Sequence, residues 1–261
     1  MLNQEYNLNY IINRIPERPI IGIVLGSGLG EFINQLSGKV QIPYHVLKGF
    51  PISTISGHTG EWVFGYIHNI PIICASGRFH IYEGFCFEEV VMPIDIINNL
   101  GCKKIIITNS AGCLNTNWNI GDFMLIQGFI DYSYMKNSNN CSIIKLNSPI
   151  GKIEKVKTKF NNIGYNIRSG IYTWTLGPSY ETPAEIKDII SLGGHAVGMS
   201  TVPELIRALE FNLDVIGLSC LTNYGAGIIN KNLSHDDVLK ISMSRAEQFS
   251  EILSQLIQLL N

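Results

Sequence analysis

Charge is scarce in this chain: only 15% of its 261 residues are Asp, Glu, Lys or Arg, and the formal net charge is −2. That balance gives no electrostatic reason to expect nucleic acid or an anionic membrane as partner. The cysteines (Cys74, Cys86, Cys102, Cys113, Cys141 and Cys220) include no CxxC pair and have no histidine at a zinc-binding spacing. Most sit in apolar runs, where a free thiol behaves as a small hydrophobe. No apolar run approaches the roughly 18 residues needed to span a bilayer. The early charges Glu5, Arg14, Glu17 and Arg18 leave no signal-peptide core. The expectation is a reduced, soluble, cytoplasmic protein without a metal site.

Apolar residues, by contrast, make up 46% of the chain, as in an ordinary globular protein. A globule of this length buries roughly 70–75% of its unfolded surface and needs no staples. Short apolar runs at 19–25, 70–75, 104–108 and 214–219 read as buried strands, with further strands at 123–127 and 171–176. Helical patterns cover 86–100, 183–192, 203–211 and a long 236–260. The last puts Leu239, Ser242, Ala246, Phe249, Leu253, Leu256 and Leu260 on one face, interrupted only by Ser242. Ser234 with Asp237 resembles a capping box, and Thr182-Pro183-Ala184-Glu185 is a fuller helix start. Strand–helix alternation points to an α/β sandwich. With no repeat and no linker, residues 1–261 are expected to form one domain, and the polar stretch 133–158 an excursion from it.

The glycine loop GSGLG at 26–30 follows a strand, where glycines let backbone N–H groups approach an anion. It is neither a dinucleotide fingerprint, since Glu31 stands in the third glycine's place, nor a Walker loop. Alone it reads equally well as a plain turn. GHTG at 57–60 places His58 in a glycine turn, and GRFHIYEG at 77–84 places Arg78, His80 and Tyr82 at alternate positions. In an extended backbone all three would point one way. Met199-Ser200 precedes a helix start, a place suited to anions. Together these offer a guanidinium, histidines, serines and loop amides: a phosphate site without metal ligands. Each has an ordinary structural role available. Glu181 could complement a helix dipole, Asn223 could serve a turn, and Met199 could fill core.

Those segments, with TNSAGCLN at 108–115, GPSYETPAE at 177–185, AVGMSTVPE at 196–204 and LTN at 221–223, occur in an order that resembles the trimeric, 6-oxopurine-preferring class of purine nucleoside phosphorylases. The likeness runs over about residues 20–260. It implies a three-layer α/β/α fold with a mixed, partly barrel-like sheet, a homotrimer, and phosphorolysis of inosine and guanosine with inorganic phosphate as co-substrate and no cofactor. By the resemblance, Ser27, His58, Arg78, His80, Ser200 and the backbone N–H of Ser110 would hold phosphate. Tyr82, Met199 and His235 would hold ribose. Gly112, Tyr180, Glu181, Thr222 and Asn223 would surround the purine, with Asn223, Glu181 and His80 closest to the chemistry.

The residue types suit that reaction. A purine leaving C1′ gives the sugar cationic character and the base excess electron density. Glu181 can accept from N1–H of a 6-oxopurine, and Asn223 can donate at N7. Departures from the family pattern are Ser110 in place of alanine, Cys113 in place of glycine, and Tyr180 where phenylalanine is also common. The Ser110 hydroxyl could thereby shift substrate preference. The stretch 133–158 contains no phenylalanine to match the one with which the family closes a neighbouring subunit's ribose site. A xanthosine-preferring enzyme, a 5′-methylthioadenosine phosphorylase and a catalytically silent nucleoside-binding sensor stand as alternatives.

Overall fold

In the computed structural model, which describes residues 2–53, 60–135, 141–146, 150–229 and 235–261, ten strands join one mixed sheet. They are β1 (Ile21–Leu25), β2 (Ser37–Pro43), β3 (Glu61–Ile67), β4 (Ile70–Ser76), β5 (Lys104–Cys113), β6 (Phe123–Asp131), β7 (Ile144–Lys145), β8 (Ile167–Trp174), β9 (Ala196–Gly198) and β10 (Asp214–Tyr224). The helices are α1 (Leu2–Ile12), α2 (Phe87–Asn99), α3 (Ile150–Asn162), α4 (Pro183–Ser191), α5 (Val202–Glu210), α6 (His235–Ser244) and α7 (Ala246–Leu260).

The strand order is β10-β6-β8-β9-β5-β1-β4-β3-β2, and β10 also pairs with β5, so five strands close into a ring while the rest extend as an open sheet. The long strand β5 belongs to both halves. It pairs with β1 from Lys104 to Ile107, and then with β9 at Gly112 and Cys113.

Period-two alternation explains the layers. Val24, Ile73, Ile105 and Ile107 pack in one core with Ile11 of α1, Val90 and Ile94 of α2, and Leu205 of α5. Their neighbours Ile23, Leu25, Cys74 and Ile106 pack in the other with Phe160 of α3 and Phe249, Leu253 and Leu256 of α7. A strand buried on both faces must be apolar at nearly every position, which is why these runs are continuous in sequence. The result is the expected α/β/α arrangement with a barrel-like part.

Several elements differ from the sequence expectation. β5 and β10 run on through the polar TNSAGC and CLTNY segments, because each pairs along its whole length with the other. β2, β3, β9, α1 and α3 were outside the expected set, and α3 occupies the end of the polar stretch 133–158. The 171–176 strand begins earlier, at Ile167. The long C-terminal helix breaks at Arg245, which has φ −107° and ψ 3°, although no glycine or proline marks the place. α6 packs on β10, whereas α7 packs on the 3-10 turn Gly30–Gln35 and in the core with Phe160. The Thr182–Glu185 capping box is present as expected. Ser234, its proposed counterpart ahead of α6, lies outside the described residues.

Candidate active site

At the carboxyl ends of the parallel strands, Ser27, Arg78, His80, Tyr82, Ser110, Gly112, Tyr180, Glu181, Met199, Ser200, Thr222 and Asn223 line one cavity. His58 lies outside the described residues. His235 opens α6, and its side chain is likewise outside them.

The glycine loop follows β1 and crosses β5 so closely that a Cβ on Gly26 would meet Asn109 Cα at 2.7 Å and the Thr108 carbonyl at 2.8 Å. Thr108 fixes this crossing: its hydroxyl donates to the Val24 carbonyl and accepts from the Gly26 N–H. Beyond it, Ser110 Oγ donates to the Ser27 carbonyl at 2.9 Å, so Ser242 must be the donor in the 2.7 Å contact between the two serine hydroxyls. The one polar residue in the C-terminal stripe therefore ties α6 to the loop. Ser110→Ala strands the Ser242 hydroxyl, and we expect a loss of about 1–3 kcal/mol of unfolding free energy, checked by denaturant unfolding.

Arg78 is almost wholly buried. Its Nε donates to Glu204 Oε1 at 2.9 Å, and its Nη1 donates to the Thr108 carbonyl at 2.8 Å and to Ser200 Oγ at 3.3 Å. Glu204, on the first turn of α5, is 1% exposed. The alternation of Arg78, His80 and Tyr82 is not extended, because residues Ile81–Glu83 form a 3-10 turn. All three still reach the cavity: the Tyr82 ring stacks on His80 at 4.7 Å and 21°. Glu83 sets the His80 ring, lying 2.8 Å from Nδ1 while the same Oε1 accepts the His80 backbone N–H.

Next to Arg78 the backbone turns sharply. Val202 N–H donates to the Ser200 carbonyl at 2.9 Å across Thr201, which has φ 76° and ψ −48°. This is a γ-turn with positive φ at a β-branched residue, a conformation worth about 1–3 kcal/mol of strain. Thr201 Oγ1 accepts from Asn109 Nδ2 at 2.9 Å and lies 3.1 Å from Ser200 Oγ.

The opposite wall is built by β10 and the loop before α4. Leu221 pairs with Ala111 and Asn223 with Gly112, so Thr222 is the extra residue of a bulge. Its hydroxyl donates to Asn223 Oδ1 at 3.0 Å, and Asn223 Nδ2 donates to the Tyr224 carbonyl at 3.1 Å. One N–H of the amide and further acceptor capacity on Oδ1 are left for a ligand. Gly112 permits this closeness: a Cβ there would touch Val197 at 3.1 Å. Glu181 is 9% exposed and accepts from Thr175 Oγ1 at 2.6 Å. Burial pushes its carboxyl above the usual range, and the Thr175 bond works against that rise.

A buried guanidinium with serines at one wall, and a buried carboxylate beside a half-satisfied amide at the other, can hold an anion and a polar heterocycle side by side. Residues 20–258 match the model of the phosphorylase superfamily. The chain is 35% identical to purine nucleoside phosphorylase 1 of Geobacillus stearothermophilus over 97% of its own length and 96% of that protein. It is 31% identical to purine nucleoside phosphorylase of Bos taurus over 95% and 91% of the two chains. The structure superimposes on Schistosoma mansoni purine nucleoside phosphorylase in complex with inosine with a TM-score of 0.87, at 27% identity, covering 98% of this chain and 96% of that one. The chain belongs to the purine nucleoside phosphorylase family.

Membership accounts for the fold, while the geometry adds residues that the sequence reading passed over. Glu204, Glu83, Thr175, Thr201 and Ser242 each hold a cavity residue in place, and Asn109 holds Thr201. The Ser110 hydroxyl, expected to bear on substrate preference, is engaged by Ser27 and Ser242. Cys113 and Cys220 are buried, and burial pushes the Cys220 thiol up to about 12, as suits inert core thiols. Among the described residues no three His, Cys, Asp or Glu side chains gather as metal ligands, and no helix is long and apolar enough to cross a membrane.

Proposed function

We propose that this chain splits purine (2′-deoxy)ribonucleosides, chiefly inosine and guanosine, with inorganic phosphate, giving the free base and (deoxy)ribose 1-phosphate. The observation that carries this reading is the single cavity lined both by the anion-binding group of Arg78 and Ser200 and by the base-reading pair Glu181 and Asn223. Phosphorolysis needs both at once, and a mere nucleoside binder has no use for the first.

In this reading Ser27, His58, Arg78, His80, Ser200 and the Ser110 N–H hold phosphate, whose charge opposes the cation developing on the sugar. A phosphate oxygen bonds to C1′ as the bond to N9 breaks, and the electron pair passes into the purine. The remaining Asn223 N–H donates at N7, stabilising the departing base. Tyr82, Met199 and His235 place the ribose, while Tyr180, Gly112 and Thr222 flank the ring. Glu181 accepts from N1–H. Adenine has no hydrogen there, so its N1 lone pair confronts the carboxylate, and a mismatch of this kind costs about 1–3 kcal/mol or more. An amide at 223, where an adenine reader would want an acid, also favours 6-oxopurines over 5′-methylthioadenosine.

The test is base release from inosine with and without phosphate, with adenosine and 5′-methylthioadenosine in parallel. Phosphate-dependent hypoxanthine release with adenosine poor is expected; hydrolysis without phosphate, or equal use of all three, overturns the proposal. A second expectation concerns pH. The ionised form of Glu181 is the acceptor, so inosine turnover rises as the carboxyl loses its proton. The Thr175 bond lowers that ionisation point, so Thr175→Val moves the acid limb of the inosine profile to higher pH. An unmoved limb counts against Glu181 as the N1 reader.

The chain acts without organic cofactor or metal, in the cytoplasm, as a single domain assembled into a homotrimer. Exposed Tyr134, Met135, Ile143 and Ile144 beside the β6–β7 pair supply apolar surface for such contacts. Sedimentation velocity at the assay concentration tests the trimer, and a monomeric mass overturns it.

A further inference from the structure

The γ-turn at Thr201 is an unexpected place for a threonine. Its φ of 76° lies where glycine is at ease and a β-branched side chain is not. Such a conformation persists only where surroundings impose it. The side chain of this residue meets the Asn109 amide at 2.9 Å, the Ser200 hydroxyl at 3.1 Å and the buried Tyr172 phenol. Asn109 and Thr201 are each 1% exposed, so neither lines the cavity, and water does not compete for their bond.

Proton direction gives the arrangement its meaning. Asn109 Nδ2 can only donate, so it engages one lone pair of Thr201 Oγ1, and the threonine proton stays available to Ser200 Oγ across the 3.1 Å contact. Ser200 Oγ also accepts from Arg78 Nη1. With the threonine proton given to it, Ser200 Oγ has both lone pairs engaged and its own proton left for an anion or for the neighbouring Tyr172 phenol, and donors chained in this way polarise one another. We propose that Asn109 is a positioning residue: it holds the Ser200–Thr201–Val202 turn in its unfavourable shape and so aims the Ser200 hydroxyl at phosphate. The inference rests on the phosphate reading of this cavity.

A conservative and a drastic substitution then exchange their usual ranks. Thr201→Val keeps the β-branch and loses the handle that Asn109 grips, so the turn relaxes. Thr201→Gly removes more atoms but adopts positive φ unaided. We expect Asn109→Ala and Thr201→Val to raise the KM for phosphate roughly 10- to 100-fold, the scale of a misplaced contact group, with kcat and the KM for inosine changed much less. Thr201→Gly stays within about threefold of wild type, and Asn109→Ala added to it has no further effect.

The same series is read by the rise in Tm on adding inorganic phosphate, which requires no turnover. If Thr201→Gly is as impaired as Thr201→Val, or if Asn109→Ala weakens phosphate equally in the glycine background, the inference is wrong. A wild type stabilised by phosphate but inert toward nucleosides overturns the functional reading alone, with the series still deciding the role of Asn109. A wild type indifferent to phosphate overturns both.

Discussion

Replacing Arg78 by methionine is expected to remove about 3–5 kcal/mol of stability together with nearly all phosphorolysis. The guanidinium is paired inside the protein with Glu204, at exposures of 2% and 1%. Among the described residues Glu204 Oε2 has no hydrogen-bond partner, so the carboxylate depends heavily on this arginine. Taking away one member of a buried pair leaves the other charge uncompensated, which costs about 3–5 kcal/mol. For a protein of this size that lowers Tm by about 6–20 °C. Loss of a preorganised donor to the reacting anion lowers turnover by roughly 10²–10³. The two effects separate in the double variant. Arg78→Met with Glu204→Met removes both charges, and well-packed apolar pairs are often as stable as the ion pair they replace. The double variant should therefore recover most of the lost Tm and none of the activity. If activity returned with stability, Arg78 would be a structural residue rather than an anion ligand.

Glu181→Gln is expected to reverse much of the base preference without harming the fold. The glutamine keeps an oxygen for the Thr175 hydroxyl and gains an N–H₂ that can donate to N1 of adenine. The ratio of kcat/KM for inosine to that for adenosine should fall by about 10- to 100-fold, measured by parallel assays at saturating phosphate. The stability effect has a definite sign. The folded-state ionisation point of Glu181 is raised, chiefly by burial, so the folded protein binds this proton more tightly than the unfolded chain. Stability from the group is present below the ordinary carboxylate range and is lost as pH rises through the raised value. An uncharged amide escapes that loss, so the variant should match or exceed the wild-type Tm at neutral pH. A large drop in Tm with an unchanged base ratio would contradict the assigned role.

Much of this site was legible in sequence because its residues sit in unbroken blocks beside strand ends. GRFHIYEG brought Arg78, His80 and Tyr82 to the cavity even though the chain between them coils rather than extends. The supporting shell was harder to read. Glu204 looks like any acid in a first helical turn, and only the fold puts it against an arginine 126 positions earlier. Nothing in the letters of Thr201 discloses its positive φ, since threonine is a poor choice there on local grounds. β5 and β10 continued past their apolar runs because mutual pairing, which no local pattern records, satisfies the polar segments. The break at Arg245 is invisible for a similar reason: the stripe suits one helix or two, and packing decides between them.

The double membership of β5 has an evolutionary consequence. Ser27, Arg78 and His80 follow β1 and β4, in the open part of the sheet, whereas Glu181, Thr222 and Asn223 belong to β10 and the segment after β8, in the closed ring. In the proposed reading the purine is met from the ring alone, while phosphate is met chiefly from the open part, with Ser200 after β9 as the ring's share. Drift in the β10 bulge and the loop before α4 can try out new leaving groups while Arg78, the glycine loop and the Ser200 turn keep their grip on the nucleophile. An architecture of this kind lets a lineage diversify in what it cleaves without ever reinventing what it cleaves with.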